Sequence, residues 1–153
     1  MSRKIVPDLV RDQTLTILAP GLPVRDAAKA MADRNIGAVL VAEEGRLAGI
    51  LSERDITQRI VARGLDAGTV RIRDIMTRDP ATVGPNDTPN HALAVMRRIG
   101  CRHLPVMAGE RIVGMLSIRD LYAAIQEDLE EDIKLRDELF MGSGYSVAVT
   151  AGR

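Results

Sequence analysis

The stretch Gly49–Asp55 (GILSERD) decides the fold, because it returns as Gly114–Asp120 (GMLSIRD). Each residue of the second stretch lies 65 positions after its counterpart, and the same offset carries Met31 onto Met96. The chain is therefore predicted to be a duplicated unit, with about 60 residues in each copy. A repeat present only twice favours two similar halves packed face to face, since an open array needs roughly three repeats. A cleft between two such halves is a usual place for a ligand.

The composition predicts one two-lobed body in the cytoplasm. With 153 residues and 16.6 kDa, the chain is long enough to bury one substantial core. Its single cysteine, Cys101, excludes an internal disulfide. The sequence has no apolar stretch typical of a secretion signal, and no run of about 18 apolar residues that would span a membrane.

The charge is balanced overall but uneven along the chain. Residues 127–138 contain seven acidic and two basic residues, whereas residues 1–126 contain 14 acidic and 18 basic ones. The chain has only three aromatic residues, Tyr122, Phe140 and Tyr145, so the stacking platforms of a single-strand binder are missing. Binding to a nucleic-acid polymer is therefore disfavoured. Arginine outnumbers lysine 18 to 3, which suits phosphate recognition but follows equally well from codon usage in the source genome.

Periodicity predicts an α/β fold in which each copy runs strand, helix, strand, strand, helix. The predicted elements of the first copy are a brief strand at 16–18, a helix from 24, strands at 38–41 and 47–51, and a helix at 53–63. Those of the second copy are a brief strand at 82–83, a helix ending near 99, strands at 103–106 and 112–116, and a helix from 118. Pro105 cannot donate to a ladder, so its strand is expected at an edge.

We divide the chain into a first copy at 7–64, a linker at 65–73, a second copy at 74–126, and an acidic helical extension with a flexible tail at 127–153. Two glycines, Gly64 and Gly68, mark the start of this linker. An apolar stripe continues along the last helix beyond the second copy, and such a stripe needs a partner. Two partners remain open, namely the tail of the same chain or the same helix of a second chain. The stripe consists of Leu121, Ile125, Leu129, Ile133 and Phe140.

The repeated heptapeptide contains the side chains that are suited to bind a ligand. In each copy a serine stands where a strand passes into a helix, and an aspartate follows three residues later. This spacing is that of a capping box, in which both side chains satisfy the first helical amides. The same pair, one helical turn apart, is also suited to bind the two hydroxyls of a ribose. The free amides of the helix and the arginine beside each aspartate, Arg54 or Arg119, then favour a nearby phosphate.

On these motifs and their order, the chain resembles the CBS domain, the cystathionine-beta-synthase-type module, and the tandem resembles a Bateman module. The resemblance covers about residues 7–126. It depends on the two heptapeptides, each followed by an apolar residue, on His103–Val106 (HLPV) and on Asp74–Thr77 (DIMT). It implies two CBS motifs packed with pseudo-two-fold symmetry, followed here by an extended C-terminal helix, and a disc-shaped homodimer.

The resemblance also implies a binding site. The residues that match those holding an adenosine ribose are Ser52, Asp55, Ser117 and Asp120, with the base near Ile17, or near Thr82 and Val83, and with Arg102 and His103 facing phosphates. The first copy departs from the pattern, because Asp8–Arg11 (DLVR) stands in place of DIMT and Ala38 in place of His103. The second copy therefore keeps the fuller site.

The sequence predicts no catalytic site and no metal site. It shows no nucleophile with an adjacent base and no contrasting pair of carboxylates. His91, Cys101 and His103 do not have the spacing of tetrahedral zinc ligands. We therefore predict a freestanding regulatory module, not an enzyme, that binds AMP, ADP or ATP as a regulatory ligand, needs no cofactor, and acts on an effector protein rather than on a membrane. The alternatives are a ligand-free homodimeric interaction module and a metal-binding stress-response protein.

Overall fold

The computed structural model describes residues 3–142, and in these residues the first copy forms around an antiparallel hairpin. The hairpin strands are joined by Glu44 and Gly45, whose φ angles of 51° and 77° give the left-handed turn that a tight hairpin needs. A short parallel strand flanks the hairpin, with Ile17 paired to Leu40. The elements are β1 (Ile17–Leu18), α1 (Val24–Arg34), β2 (Ala38–Glu43), β3 (Arg46–Ser52), α2 (Glu53–Arg59) and a 3-10 turn (Val61–Arg63).

The second copy repeats this plan with a shortened first strand and an extended last helix. Its elements are α3 (Ile72–Ile75), β4 (Thr77–Arg78), α4 (Pro89–Ile99), β5 (His103–Ala108), β6 (Arg111–Ser117) and α5 (Ile118–Gly142). The strand predicted at 82–83 is reduced to a single parallel bridge between Val83 and Val106. In the first copy the Leu40 amide donates to the Thr16 carbonyl at 3.0 Å, whereas its counterpart Pro105 has no amide hydrogen, so the second copy lacks this ladder bond. The predicted α/β class, the two strand–helix–strand–strand–helix units and the extended C-terminal helix are otherwise confirmed.

The segments that lead into the two copies are exchanged. A single turn at Ile5–Leu9, with extended backbone at Val6, is closed by a hydrogen bond from the Val10 amide to the Ile5 carbonyl. It precedes the first copy but packs on the second, where the amides of Ile5 and Val6 donate to the carbonyls of Asp87 and Pro85, each at 2.9 Å. Conversely, α3 begins at Ile72, within the stretch 65–73 predicted to be the linker, and leads into β4, which pairs with β3 of the first sheet. The strand order is β1-β2-β3-β4 in one sheet and β5-β6 in the other.

Three apolar clusters hold the copies together. The core of the second copy includes Ile5 and Val10, from the segment that precedes the first copy in the chain. The core of the first copy includes Ile72 and Ile75, from the segment that precedes the second copy. A smaller third cluster lies between the copies, where Leu40, Ile50 and their neighbours meet β6 of the second copy. The two copies therefore share buried surface as well as backbone connections, and this fixes the walls of the spaces between them.

Helix α5 is buried only in its first turns. Leu121 and Ala124 lie in the interior, whereas Leu129 and Ile133 are each 58% exposed. Its acidic face is held by Arg3, whose guanidinium lies 2.7 Å from Glu127 Oε2 and 2.7 Å from Asp128 Oδ1, and 3.5 Å from Glu131 Oε1. The tail predicted to be flexible, from 143 onward, lies outside the described residues. Among the helices within 3–142, none is both long and apolar enough to cross a membrane.

Candidate functional site

A cleft of about 520 Å³ lies beside the repeated heptapeptide of the second copy, and we call it the second-copy cleft. It contains Ser117, Arg119 and Asp120, at the junction of β6 and α5. The opposite wall comes from the first copy, from the residues before β1 and from the C-terminal end of α1. A volume of this size is within the range of small-molecule sites, roughly 300–1,000 Å³.

A related cleft of about 420 Å³, the first-copy cleft, lies beside the other heptapeptide. It contains Ser52, Arg54 and Asp55, at the junction of β3 and α2. Its opposite wall comes from the second copy, from the residues after β4 and from the segment 99–104. Each cleft is therefore built from both copies, and the six heptapeptide side chains predicted to bind a ligand lie in clefts, three in each.

Both serine–aspartate pairs form capping boxes. In the second copy the amide and the hydroxyl of Ser117 donate to Oδ2 of Asp120, at 3.0 and 2.7 Å, and the Asp120 amide donates back to Ser117 Oγ at 3.2 Å. Ser52 and Asp55 make the same three hydrogen bonds at 2.9, 2.9 and 3.2 Å. Capping therefore occupies one carboxylate oxygen of each aspartate and the serine proton. The other carboxylate oxygen and one lone pair of the serine oxygen remain for a ligand.

The remaining oxygen, Oδ1, differs between the copies. Oδ1 of Asp55 lies 3.6 Å from Nη2 of Arg59, one turn further along α2. The same guanidinium also donates through Nη1 to the carbonyl of Ile75. Within residues 3–142, Oδ1 of Asp120 has no hydrogen bond or ion pair. The second-copy cleft therefore presents the more available carboxylate oxygen.

The two clefts share one wall, formed by Gly37, Glu53, Arg102 and His103. His103 packs against Gly37 so closely that a Cβ on this glycine would lie 3.2 Å from the imidazole Cε1. Burial lowers the pKa of His103, Arg102 adds to this effect, and the carboxylates of Glu53 and Asp120 oppose it. At neutral pH the imidazole is therefore uncharged, and Arg102 supplies the positive charge of the shared wall.

Three predicted site residues line neither cleft. Ile17 is 43% exposed, Thr82 is exposed, and Val83 is buried in the core of the second copy. The cleft walls use the residues immediately before these strands, Thr14 to Thr16 in one case and Pro80 with Ala81 in the other. A base bound in either cleft would therefore meet the chain one to three residues earlier than the sequence pattern indicates.

Among the wall residues that the sequence analysis did not predict, Gln13 and Arg59 make side-chain contacts that shape the clefts. The side-chain amide of Gln13 makes two hydrogen bonds to the backbone of Met115, as a neighbouring strand would. Its Nε2 donates to the Met115 carbonyl at 3.0 Å, and its Oε1 accepts from the Met115 amide at 2.9 Å. No local pattern indicates this contact, which joins residues 102 positions apart. Arg59 was detectable, because it stands four residues after Asp55 on a predicted helix, where opposite charges face each other.

The histidine and cysteine residues do not converge. Among the residues that the structure describes, no three His, Cys, Asp or Glu side chains come together in a way that would hold a metal ion. His91, on the first turn of α4, instead lies near Asp87, which precedes this helix; its Nε2 is 4.0 Å from Asp87 Oδ2. Cys101 lies in the wall of the first-copy cleft, and burial raises the pKa of its thiol, so the reactive thiolate is disfavoured at neutral pH.

The exchanged lead-in segments, the paired sheets and the two clefts define a tandem-repeat module with two related cavities between its halves. The CBS domain family model matches residues 1–62 and 72–127. The chain therefore belongs to the CBS domain family, and its two matched segments form a CBS domain pair.

Several known proteins are similar to this chain. CBSX3, a mitochondrial CBS domain-containing protein of Arabidopsis thaliana, is 33% identical over 127 residues, which are 80% of this chain and 61% of CBSX3, so the chain spans less than two thirds of that protein. A protein of Burkholderia ambifaria MC40-6, provisionally described as a signal-transduction protein with CBS domains, has 31% identity and a TM-score of 0.76 over 80% of this chain and 94% of its own. A CBS domain pair solved with 5′-methylthioadenosine and S-adenosyl-L-methionine has the same fold, with 23% identity and a TM-score of 0.73 over 84% of this chain and 99% of its own.

Proposed function

We propose that this CBS domain pair is a regulatory module, not an enzyme, that binds an adenine nucleotide in its second-copy cleft. The observation that carries the proposal is the Oδ1 atom of Asp120, which is not used by the cap and belongs to a residue lining a cleft of about 520 Å³. A carboxylate oxygen has two lone pairs, so it accepts hydrogen bonds from both hydroxyls of a ribose. The oxygen of Ser117 adds a further acceptor.

The charges around this cleft suit the phosphate end of such a ligand. Arg102 and Arg119 line the same cleft as Asp120, and an arginine fork binds phosphate oxygens in pairs. The first amides of α5 lie beside these side chains, at the positive end of a 25-residue helix. One end of the cleft therefore favours sugar hydroxyls, and nearby cations favour an anion. The complex of a related fold with two adenosine derivatives supports the same ligand class.

Such a ligand would signal through the arrangement of the two copies. Both clefts have walls from both copies, so a bound molecule contacts two bodies at once. A ligand shifts a conformational equilibrium only by its difference in affinity between the two states. We therefore expect the nucleotide to favour one packing of the copies and so to change binding to an effector protein. We also propose the cytoplasm as its compartment, as the default for a sequence that offers no internal disulfide.

Native mass spectrometry of the purified chain, followed by calorimetry with AMP, ATP, NAD and S-adenosylmethionine, tests this proposal. We expect binding of an adenine nucleotide that is greatly weakened in Asp120→Ala, where only the first-copy cleft remains intact. The matched control is Asp137→Ala, which removes the same charge from an exposed position of α5 outside both clefts. If the folded protein binds none of the four compounds, the alternative of a ligand-free interaction module replaces the sensor.

The same proposal includes a homodimer. Tyr122, Leu129 and Ile133 lie on one side of α5 and are 56%, 58% and 58% exposed, which leaves an apolar stripe on an acidic helix. We propose that a second copy of the chain covers this stripe. Light scattering coupled to size exclusion should give two chains per particle and one chain for the Leu129→Asp/Ile133→Asp variant. A wild-type monomer or hexamer would contradict this assembly, and a monomer would favour cover by the chain's own tail.

A further inference from the structure

The two clefts differ at a position that the repeat otherwise aligns. Arg59 in α2 corresponds, at the offset of 65 residues, to Ala124 in α5. Arg59 lines the first-copy cleft and places Nη2 3.6 Å from Oδ1 of Asp55. Ala124 has no side chain to place there and is itself only 5% exposed, so the interior of the second copy leaves no room for a cation at this position.

This difference changes what each aspartate offers to a ligand. Capping occupies Oδ2 in both copies, with hydrogen bonds from the serine amide and hydroxyl. In the first copy the remaining oxygen faces a guanidinium, so a sugar hydroxyl would compete with an ion pair for the same lone pairs. In the second copy it has no such partner among the described residues. Two cleft walls of nearly the same design are therefore unequal in their hydrogen-bonding capacity.

The position of Arg59 is held from a second side. Its Nη1 donates to the carbonyl of Ile75, at the end of α3 in the exchanged lead-in segment. This contact ties the Nη1 end of the guanidinium to the backbone of α3. An arginine that is bound both to a carbonyl and to Asp55 is less available to swing toward a phosphate than Arg54, which lines the same cleft.

We propose that Arg59 is a specificity-determining residue that makes the first-copy cleft the weaker of two nucleotide sites. This inference rests on the proposed function, because it concerns which of the two clefts binds the nucleotide better. The Arg59 side chain in its ion pair is 44% exposed, and an exposed pair of this kind is worth little. Its removal should therefore tighten binding in the first-copy cleft by roughly twofold to fivefold, and leave the second-copy cleft unchanged.

Calorimetric titration with AMP on four variants tests this inference. Asp120→Ala disables the second-copy cleft, and in this background adding Arg59→Gln should tighten AMP binding by roughly twofold to fivefold. Asp55→Ala disables the first-copy cleft, and in that background Arg59→Gln should change nothing. Glutamine removes the charge but keeps an amide donor for the Ile75 carbonyl. Arg59→Met serves as a second variant, and thermal unfolding verifies that each protein is folded.

The control is Arg63→Gln, an equal loss of charge in the next turn and outside both clefts. Unchanged AMP affinity for Arg59→Gln in the Asp120→Ala background would overturn the inference. Weaker affinity would also overturn it, since Arg59 would then be a phosphate ligand. These outcomes leave the proposed function standing, because AMP still binds to the wild-type chain.

The wild-type chain gives two further outcomes. If the folded chain does not bind AMP but binds another of the compounds, the inference alone is overturned. If it binds none of the compounds, both the inference and the proposed function are overturned.

Discussion

Val10 places its Cγ1 atom in the space that a side chain on Gly114 would need. The first copy has the same arrangement at Gly49, where a Cβ would lie 2.7 Å from both Met76 Sδ and the carbonyl oxygen of Thr77. Val10 and Met76 belong to the exchanged lead-in segments. The glycine that opens each heptapeptide is therefore required by the crossing of the other segment over the sheet, and not by a ligand.

Replacing Gly49 by alanine should lower the free energy of unfolding by about 1–3 kcal/mol. The added methyl meets a backbone carbonyl as well as a side chain, so the contact cannot be relieved by a rotamer change alone. Urea unfolding measures the difference. Gly21→Ala is the matched control, because nothing lies within 4 Å of a Cβ at that position, and it should stay within about 0.5 kcal/mol of wild type. Similar losses for both variants would show that the crossing segment is not the cause.

Asp120→Ala should weaken nucleotide binding more than Asp55→Ala does. The reason is the state of Oδ1, which is paired with Arg59 in the first copy and has no partner among the described residues in the second. Both substitutions remove half of a capping box, so both should also lower stability by about 1 kcal/mol. Calorimetry and urea unfolding on the same samples separate the two effects. Equal affinities for wild type and both variants would limit the aspartates to capping.

Thr88→Ala provides a capping change at a residue that lines neither cleft. The Thr88 hydroxyl accepts a hydrogen bond from the amide of His91 at 3.2 Å and caps α4. Its loss should lower the free energy of unfolding by about 1 kcal/mol while nucleotide affinity stays at the wild-type value. If affinity also falls, the binding changes in the aspartate variants would reflect general loss of stability.

Much of the fold could be predicted from the sequence because the information is local and given twice. Short apolar runs on either side of a glycine turn define β2 and β3, helical spacing defines α1 and α4, and the serine–aspartate spacing locates the start of α2 and α5. What the sequence did not predict is non-local. The exchange of the lead-in segments depends on which core accepts Ile5 and Ile72, and two short apolar segments of similar character do not specify this.

The candidate site shows the same division. The heptapeptide residues lie in the clefts because a strand-to-helix junction fixes them, whereas the predicted base contacts at Ile17 and Val83 lie outside because the chain crosses the cleft before these residues. The inequality of the clefts depends on one side chain, Arg59, and on a contact with Ile75 that only the folded chain creates. The repeated sequence therefore predicts the cleft residues that both copies share. It does not predict the contacts by which one cleft differs from the other.

His103 should make the stability of the protein depend on pH below neutrality. Burial lowers its pKa in the folded chain from an ordinary value of 6.5, with Arg102 acting in the same direction and Glu53 and Asp120 against it. As the pH falls through 6.5, the unfolded chain therefore takes up a proton that the folded chain does not, and the free energy of unfolding decreases. Urea unfolding between about pH 7.5 and 5.5 measures this slope, since the histidine titration is centred in this interval. His103→Gln should flatten it. The same slope in wild type and His103→Gln would show that another group carries the dependence.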